Sequence, residues 1–468
     1  MSQAASLFKK NFKKKYILRK YPIFIKTNTA SGIDKLQKKN FDKISDEQID
    51  VIINKVNNDT YRFTYYKERL ILKNRNSLPR MISIPSLRDR IVLKLLHEIL
   101  MKSFNIELKL VQTVISEFTE ESKKYDSYIK IDISNFFGSL NHDVLLKKTN
   151  SKVRKKELRN LISSAIKNPT VNSSYRRSVK IEENTVGVPQ GIPIANVLAE
   201  IYFKELDEKY KARNNISYFR YVDDILILCN SEDVGEIKAE ITQEIIETYK
   251  LCVNEDKCDD GLIAAGMTYL GYKFYKVSGN IICTVKEESL AKMENSLVAL
   301  FSKFKNSEGK MKHKELIFYL NLKITGAIVK ELDDNEVKDL KIRKKDMPKD
   351  KKFGWLFFYS QINDIRKLYH LDYLVKVLIK RYDTKNELKV ENIKSFVKAY
   401  YEITQRRNKS KYIFNPSKLT MQQKKELLVD TFSMNKSDLI TVENIEYHFN
   451  KKVKRKIDEL EMDIQGGY

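Results

Sequence analysis

Two adjacent aspartates, Asp223 and Asp224, sit between apolar runs, with Phe219-Arg220-Tyr221 before them and Ile225-Leu226-Ile227-Leu228-Cys229 after. Neighbouring carboxylates repel and are costly beside apolar surface unless a cation offsets them. On a tight hairpin tip they can point at a shared divalent ion, although a solvated turn uses the same residues. Asp132 ends an alternating stretch, Tyr128-Ile129-Lys130-Ile131-Asp132-Ile133, that reads as a strand. It can meet the aspartate pair on one sheet, or it can simply cap a following helix. Three converging carboxylates are what two-metal phosphoryl transfer needs: one Mg²⁺ activates the attacking hydroxyl and the other steadies the leaving pyrophosphate. A third feature, Gly187-Val188-Pro189-Gln190-Gly191-Ile192-Pro193, opens an apolar helix. Its glycines permit close approach by a ligand, and Gln190 offers both a donor and an acceptor. A plain helix-opening turn has the same composition.

The elements around these residues follow from periodicity. Tyr61–Ile84 predicts a hairpin with turn residues Asn74 to Ser77, and Arg88–Phe104 predicts a helix. Val188–Glu205 reads as one apolar helix. Tyr218–Tyr221 and Ile225–Leu228 read as a hairpin with an acidic tip, and Met267–Tyr275 as a strand pair. From about residue 285 the pattern is helical to the end: Lys286–Phe304, Lys314–Leu332, a long apolar helix Trp355–Tyr382, and segments 386–405, 420–432 and 451–463. A mixed α+β core followed by an all-helical C-terminal part is the expected architecture.

Composition narrows the field. With 468 residues, of which 42% are hydrophobic, the chain has material for roughly three domains and a large core. Only 14 glycines and 8 prolines favour long helices over a loop-rich β fold. Four cysteines make no disulfide scaffold, and the apolar runs are too short to cross a bilayer. Cys252 and Cys258 lack a second pair at zinc spacing, and His97, His142, His313, His370 and His448 are scattered. The N-terminus has no apolar leader, so a cytoplasmic protein without membrane partners is expected. A net charge of +25, partly clustered at Lys9–Lys20 and Lys338–Lys352, suggests a polyanionic partner, although a Lys-rich solvated surface gives the same number.

Taken in order, the aspartate strand, the G-x-P-Q-G segment and the Tyr221-Val222-Asp223-Asp224 hairpin closely resemble the palm of reverse transcriptases, over roughly residues 55–275. Arg80-Met81-Ile82-Ser83-Ile84-Pro85 with Arg88-Asp89-Arg90-Ile91-Val92 resembles the fingers block of bacterial and intron-type members. Asn254-Glu255-Asp256-Lys257 is similar to the block after the aspartate hairpin, and Tyr269-Leu270-Gly271-Tyr272 to the primer-grip hairpin. Asn141-His142 also matches bacterial relatives, whereas Gly138 stands where an aspartate is usual. The resemblance implies a right-hand polymerase. Its parts would be an N-terminal extension (1–50), fingers and palm (51–275), a helical thumb (276–335) and a C-terminal helical domain (336–468).

It also implies roles. Asp132, Asp223 and Asp224, with the Ile133 carbonyl, would hold two Mg²⁺ ions, with Mn²⁺ as an alternative. Gln190 and Gly191 would lie at the incoming nucleotide, beside Tyr221. Phe137 would block a ribose 2′-hydroxyl, and core packing is its competing reading. Arg80, with Lys73 or Arg75, would neutralise the triphosphate, while Arg90 reads as structural. Lys257 would protonate the leaving pyrophosphate, or else is a surface lysine. The partners implied are dNTPs, an RNA template or noncoding RNA, and a DNA product.

Finer resemblance points to bacterial defence-associated reverse transcriptases of the abortive-infection and unknown groups. It rests on Ile194–Tyr202, on Phe353-Gly354-Trp355-Leu356-Phe357-Phe358-Tyr359 and on the helical tail. That group implies anti-phage defence, in some members template-independent or protein-primed synthesis, and homo-oligomers. Terminal Tyr468 is a candidate primer, with a bland tail as the simpler reading. The rival readings are a retron or group II intron-type enzyme, an RNA-synthesising polymerase and a silent nucleic-acid-binding scaffold. The three aspartates argue against a scaffold.

Overall fold

The computed structural model describes residues 2–25, 29–72, 79–175, 181–330, 350–383, 388, 390–406 and 410–464. They fall into two compact units, the first made of residues 1–109 and 124–262, the second of 110–123 and 263–468.

The first unit opens with three helices, α1 (Gln3–Asn11), α2 (Lys14–Phe24) and α3 (Lys38–Asn57). They are not a free basic arm. Phe8, Phe12, Ile17, Phe41, Ile49 and Ile52 are buried in the same core as the central sheet. Part of the expected cationic cluster is neutralised within the fold: Lys14 pairs with Asp46 and Asp50, and Lys20 with Glu98. The second cluster, Lys338–Lys352, lies mostly outside the described residues.

The predicted hairpin forms as β1 (Tyr66–Ile71) and β2 (Arg80–Ile84), antiparallel, with β4 (Thr170–Val171) added parallel to β1. Its turn, Lys73 and Arg75 included, lies outside the described residues. Helix α4 (Leu87–Phe104) follows, capped by the Ser86 hydroxyl, which accepts from the Asp89 N–H. Buried Asp89 accepts from the Tyr61 hydroxyl, the Thr64 N–H and the Ser86 hydroxyl. Burial pushes its carboxyl up. Arg90 donates to the carbonyls of Ala30 and Pro85, a structural position.

The sheet that carries the aspartates has four antiparallel strands in the order β5-β6-β3-β7. They are β3 (Ser127–Ile131), β5 (Ser217–Tyr221), β6 (Asp224–Cys229) and β7 (Asp259–Leu262). Side chains alternate across the pleat. Ile129 and Ile131 of β3, with Ile225, Ile227 and Cys229 of β6, enter the core. Helices α9 (Ala195–Lys211) and α10 (Val234–Glu247) contribute Leu198, Tyr202, Ile237 and Ile241 to that core. Asp132 and Asp224 belong to the opposite face. Between β3 and α9 lie the short α6 (Phe136–Ser139), α7 (His142–Lys152) and α8 (Lys156–Lys167).

The expected helix from Val188 starts later, at Ala195. Pro189 and Pro193 lack an N–H, and Gly191 at φ 95° leaves the helical region, so residues 188–194 form an irregular turn.

The second unit holds α5 (Val111–Glu121), the meander β8 (Met267–Tyr269), β9 (Tyr272–Val277) and β10 (Asn280–Val285), and then helices. The thumb and C-terminal segments expected to separate near 335 share this one unit, and its boundary falls at 262/263 instead of 275. Helices α11 (Glu287–Lys305) and α12 (His313–Thr325) appear near their expected places. Helix α12 stops early because Ala327–Val329 (β11) pairs with Lys351–Phe353 (β12), a two-stranded sheet in a region read as all helical.

The expected 28-residue helix Trp355–Tyr382 is two helices, α13 (Trp355–Phe358) and α14 (Arg366–Tyr382). The Asn363 side chain interrupts it by accepting from the Cys283 N–H and donating to the Ile281 carbonyl, and so edges β10. The remaining helices are α15 (Phe396–Tyr401), α16 (Met421–Phe432), α17 (Val442–Phe449) and α18 (Arg455–Glu459). No helix among the described residues is long and apolar enough to cross a membrane.

Candidate active site

The β3–β6 ladder pairs Ile131 with Ile225. Continued by one residue, this register sets Asp132 opposite Asp224 on the same face, at the spacing of a cross-strand pair. Asp223 is the neighbouring residue in the turn. The hairpin closes with Tyr221 opposite Asp224, so Val222 and Asp223 are its two central residues. Val222 has φ 59°. A β-branched residue in the left-handed region is strained by roughly 1–2 kcal/mol.

Arg220 holds that strain in place. Its side chain is 2% exposed, and it pairs with Glu200 at 2.7 Å and Asp207 at 2.6 Å, both on α9. A further N–H donates to the Val222 carbonyl at 2.8 Å, and Asp207 also accepts from the Tyr218 hydroxyl. Burial alone would push the guanidinium down, but Asp207 and Glu200 outweigh it and hold it above its ordinary value. The sequence reading missed this group. The signal was available: a lone cation inside the apolar run Tyr218–Cys229 has to be paired, and Glu200 and Asp207 lie two turns apart on one face of the preceding helix.

Asp132 is fixed from the other side. Its carbonyl accepts from the Asn254 N–H at 2.8 Å, and the Ser134 N–H donates to the Cys252 carbonyl at 2.9 Å. These two bonds flank an Ile133–Val253 bridge and use neither polar group of Ile133, which leaves its carbonyl outside the pair. The same segment turns through Glu255–Lys257 and brings the Lys257 ammonium to 3.4 Å from the Asp132 carboxylate. Lys257 is 66% exposed, so the pair is solvent-screened.

Gln190 and Phe137 are tied into the fold through their backbone carbonyls. The Gln190 carbonyl accepts from the Ser83 N–H at 2.7 Å, which ties the turn to β2. The Val188 N–H donates to the Phe137 carbonyl, the Gly187 N–H to the Leu140 carbonyl, and the buried His142 ring bonds the Gly187 carbonyl at 2.7 Å. Gly187, at φ 84°, approaches so closely that a Cβ there would meet the Gly138 carbonyl oxygen at 2.6 Å. The unusual glycine at 138 is thus part of a close backbone contact. Phe137 is half-buried against the core, its ring 5.3 Å from that of Phe136. Arg80 is exposed at the start of β2, paired with Ile71.

Among the described residues, no three His, Cys, Asp or Glu side chains are drawn together as a metal-holding group. The donor chemistry nevertheless suits a hard divalent cation. Asp132 and Asp224 share a register position, Asp223 adjoins them, the Ile133 carbonyl is outside the adjacent bridge, and one of these carboxylates already faces a cation.

Residues 71–274 match the family model described as "Reverse transcriptase (RNA-dependent DNA polymerase)". Two curated proteins are similar. An "Uncharacterized 91 kDa protein in cob intron" of Schizosaccharomyces pombe is 28% identical over 195 residues, covering 39% of this chain and 23% of that protein. "Protein YkfC" of Escherichia coli is 24% identical over 293 residues, covering 51% of this chain and 76% of that protein. Among solved structures, telomerase from Candida tropicalis aligns with a TM-score of 0.41 at 13% identity, over 94% of this chain and 81% of that one. Candida albicans telomerase, solved with a fragment of telomeric RNA, aligns with a TM-score of 0.38 at 12% identity, over 88% of this chain and 69% of that one. The chain carries a reverse transcriptase domain.

Proposed function

We propose that the chain is an RNA-directed DNA polymerase, a nucleotidyltransferase that joins a primer 3′-hydroxyl to the α-phosphate of a dNTP. The observation that carries this is the register placing Asp132 across from Asp224 beneath an aspartate-bearing turn clamped by Arg220, inside a reverse transcriptase domain. Two Mg²⁺ ions bound by Asp132, Asp223, Asp224 and the Ile133 carbonyl would favour ionisation of the attacking hydroxyl and neutralise the pyrophosphate.

The protein's own residues do the positioning. Gln190 and Gly191, tied to β2, form a floor for the incoming nucleotide, with Tyr221 at the hairpin. The Phe137 ring closes the side where a ribose 2′-hydroxyl would point and selects deoxynucleotides. Arg80 offers the triphosphate a charge-assisted donor, and Lys73 is a second candidate. Lys257, beside Asp132, gives a proton to the leaving pyrophosphate oxygen.

Within the family we read the chain as a bacterial defence-associated enzyme, on the segment Ile194–Tyr202, the Phe353–Tyr359 segment and the helical second unit. A second reading, an intron-type enzyme, is favoured by the relative described as lying in a cob intron. Co-purification of one structured intron RNA supports the second, and lowered phage plating on cells that carry the gene supports the first.

The decisive assay adds Mg²⁺ and labelled dNTPs, singly and together, to protein purified with its nucleic acid, with and without an added RNA template and primer. Asp223→Asn/Asp224→Asn runs alongside, and products are split with protease and nuclease. The wild type makes polymer. The double variant loses at least about a thousandfold in rate while melting like the wild type, and EDTA abolishes the reaction. Dependence on all four dNTPs marks templated synthesis, and a protease-sensitive shift marks protein priming. Polymer made equally by both proteins sinks the reading.

A further inference from the structure

The second unit carries a cleft of about 500 Å³ between α14 and α15. That lies within the range of ligand-binding clefts, roughly 300–1,000 Å³. Its walls include Tyr369, Tyr373 and Lys376 of α14 and Lys398 and Tyr401 of α15.

The sequence of α14 explains why these residues face outward. Leu368, Leu371, Val375, Leu378 and Ile379 form its buried stripe. Tyr369, Tyr373, Lys376 and Lys380 recur at helical spacing on the other side. Tyr369 is 58% exposed and Tyr373 66%, large apolar surfaces on a helix that already has a full buried face. Tyr401 is also exposed.

Charge sorts the possible ligands. The two carboxylates in the walls have partners of their own, although one oxygen of Glu402 is buried without a hydrogen bond. Asp372 accepts from the Ser395 hydroxyl and from the Phe396 and Val397 N–H groups, and so caps α15. Glu402 pairs with Arg406 at 3.3 Å. Lys376 has no carboxylate partner among the described residues, and the Lys398 ammonium lies 4.9 Å above the Tyr412 ring. The cleft therefore offers flat aromatic faces beside positive charge. This combination recognises the bases and phosphates of single-stranded nucleic acid without reading sequence.

We propose that the α14–α15 cleft is a binding site for single-stranded nucleic acid, in which Tyr369, Tyr373 and Tyr401 stack bases and Lys376 and Lys398 meet the backbone. The proposal rests on reading the chain as a polymerase, which has a single strand to handle, as template or as product.

The test uses the full chain and two oligonucleotides of about 15 nucleotides, oligo(dT) and oligo(U), each also made with 5-iodouracil for photocross-linking. The expected result is cross-linking to at least one of the three tyrosines, with the better of the two oligonucleotides identifying the strand. Tyr369→Ala/Tyr373→Ala should weaken binding about a hundredfold, as each lost stacking face is worth roughly tenfold, while Tyr369→Phe/Tyr373→Phe stays within about twofold. Lys376→Gln/Lys398→Gln should flatten the log–log salt dependence by about 1.4, or about 0.7 per lost phosphate contact.

Extension of a short hairpin primer-template is measured on the same proteins and should be unchanged. Cross-links confined to other residues, with affinity unmoved in Tyr369→Ala/Tyr373→Ala, overturn the site while leaving the polymerase standing. Loss of cross-linking with no extension by any protein, wild type included, sinks the polymerase reading and keeps the site. If the tyrosine substitutions alter sedimentation but neither binding nor cross-linking, the surface is a contact between copies and the proposal falls.

Discussion

Among the hairpins that close on two residues, two have opposite chemistry. In the second unit, β9 and β10 close at Val277 opposite Asn280, and the central residues Ser278 and Gly279 have φ 48° and 79°. Both are left-handed, as a type I′ turn requires, and glycine occupies one of them at little steric cost. In the first unit, β5 and β6 close at Tyr221 opposite Asp224, but the left-handed residue is Val222, followed by a carboxylate. The first turn follows local preference. The second goes against it, and persists because Arg220 behind it bonds the Val222 carbonyl and is held by two acids of α9. Strain that surrounding structure has to impose is characteristic of sites where a side chain must be held in one place.

The sharpest way to break this comparison is to remove the clamp. Arg220→Met leaves Asp207 and Glu200 facing each other without a cation. Breaking a buried pair costs about 3–5 kcal/mol. The lower end is expected here, since both acids keep some access to water. Denaturant melts would read about 3 kcal/mol, and nucleotide incorporation should fall more than the loss of folded protein explains. Arg220→Lys separates the two roles. One ammonium can meet the acids or the Val222 carbonyl but lacks the planar fork that reaches all three. A lysine variant with wild-type kcat would show that the carbonyl bond does not position the aspartates.

The cation on the open side behaves differently. Lys257 is exposed, so Lys257→Met should change stability by less than about 0.5 kcal/mol. Its proposed effect is on the reaction, a fall in kcat of about a hundredfold. The Mg²⁺ concentration for half-maximal rate should drop at the same time, because Asp132 loses its competing ammonium. An unchanged kcat would return Lys257 to the status of a surface lysine.

These two cations show what was legible in the sequence. Asp132 stood out because it ends an alternating strand, Asp223 and Asp224 because they interrupt an apolar run, and Lys257 through the resemblance of its segment. The irregular turn before α9 was also marked, by Pro189, Gly191 and Pro193, although its length was not. Arg220 escaped because its meaning depends on Glu200 and Asp207 of the preceding helix, which the apolar run around it does not reveal by itself. Two of the N-terminal lysines, Lys14 and Lys20, escaped for the same reason: their partners Asp46, Asp50 and Glu98 are distant in sequence. In the second unit, the break in Trp355–Tyr382 falls where Asn363 reaches a β-strand edge. Apolar periodicity reports which face is buried, and long-range polar contacts decide where an element stops.

Exchanging the turn residues tests the comparison directly. Gly279→Val puts a β-branched residue where no support exists. A Cβ there meets nothing within 4 Å, so the cost is conformational alone, about 1–2 kcal/mol, with primer extension unaffected. A neutral result would mean that the β9–β10 turn changes type at no cost, and that its glycine does not mark a preference.

Val222→Gly has a small effect on stability and is the most informative. Glycine relieves the left-handed strain, roughly 1–2 kcal/mol, but gives the unfolded chain more freedom to lose, which takes back about half of it. The net expectation is a gain of under about 1 kcal/mol in denaturant melts. Activity should move the other way, because a glycine at 222 lets Asp223 sample orientations that the valine forbids, and kcat should fall about tenfold with little change in KM. A rise in stability with a fall in kcat is the signature of strain kept for position. If both rise, Val222 contributes nothing that glycine cannot, and the Arg220 clamp would serve only to keep α9 on the sheet.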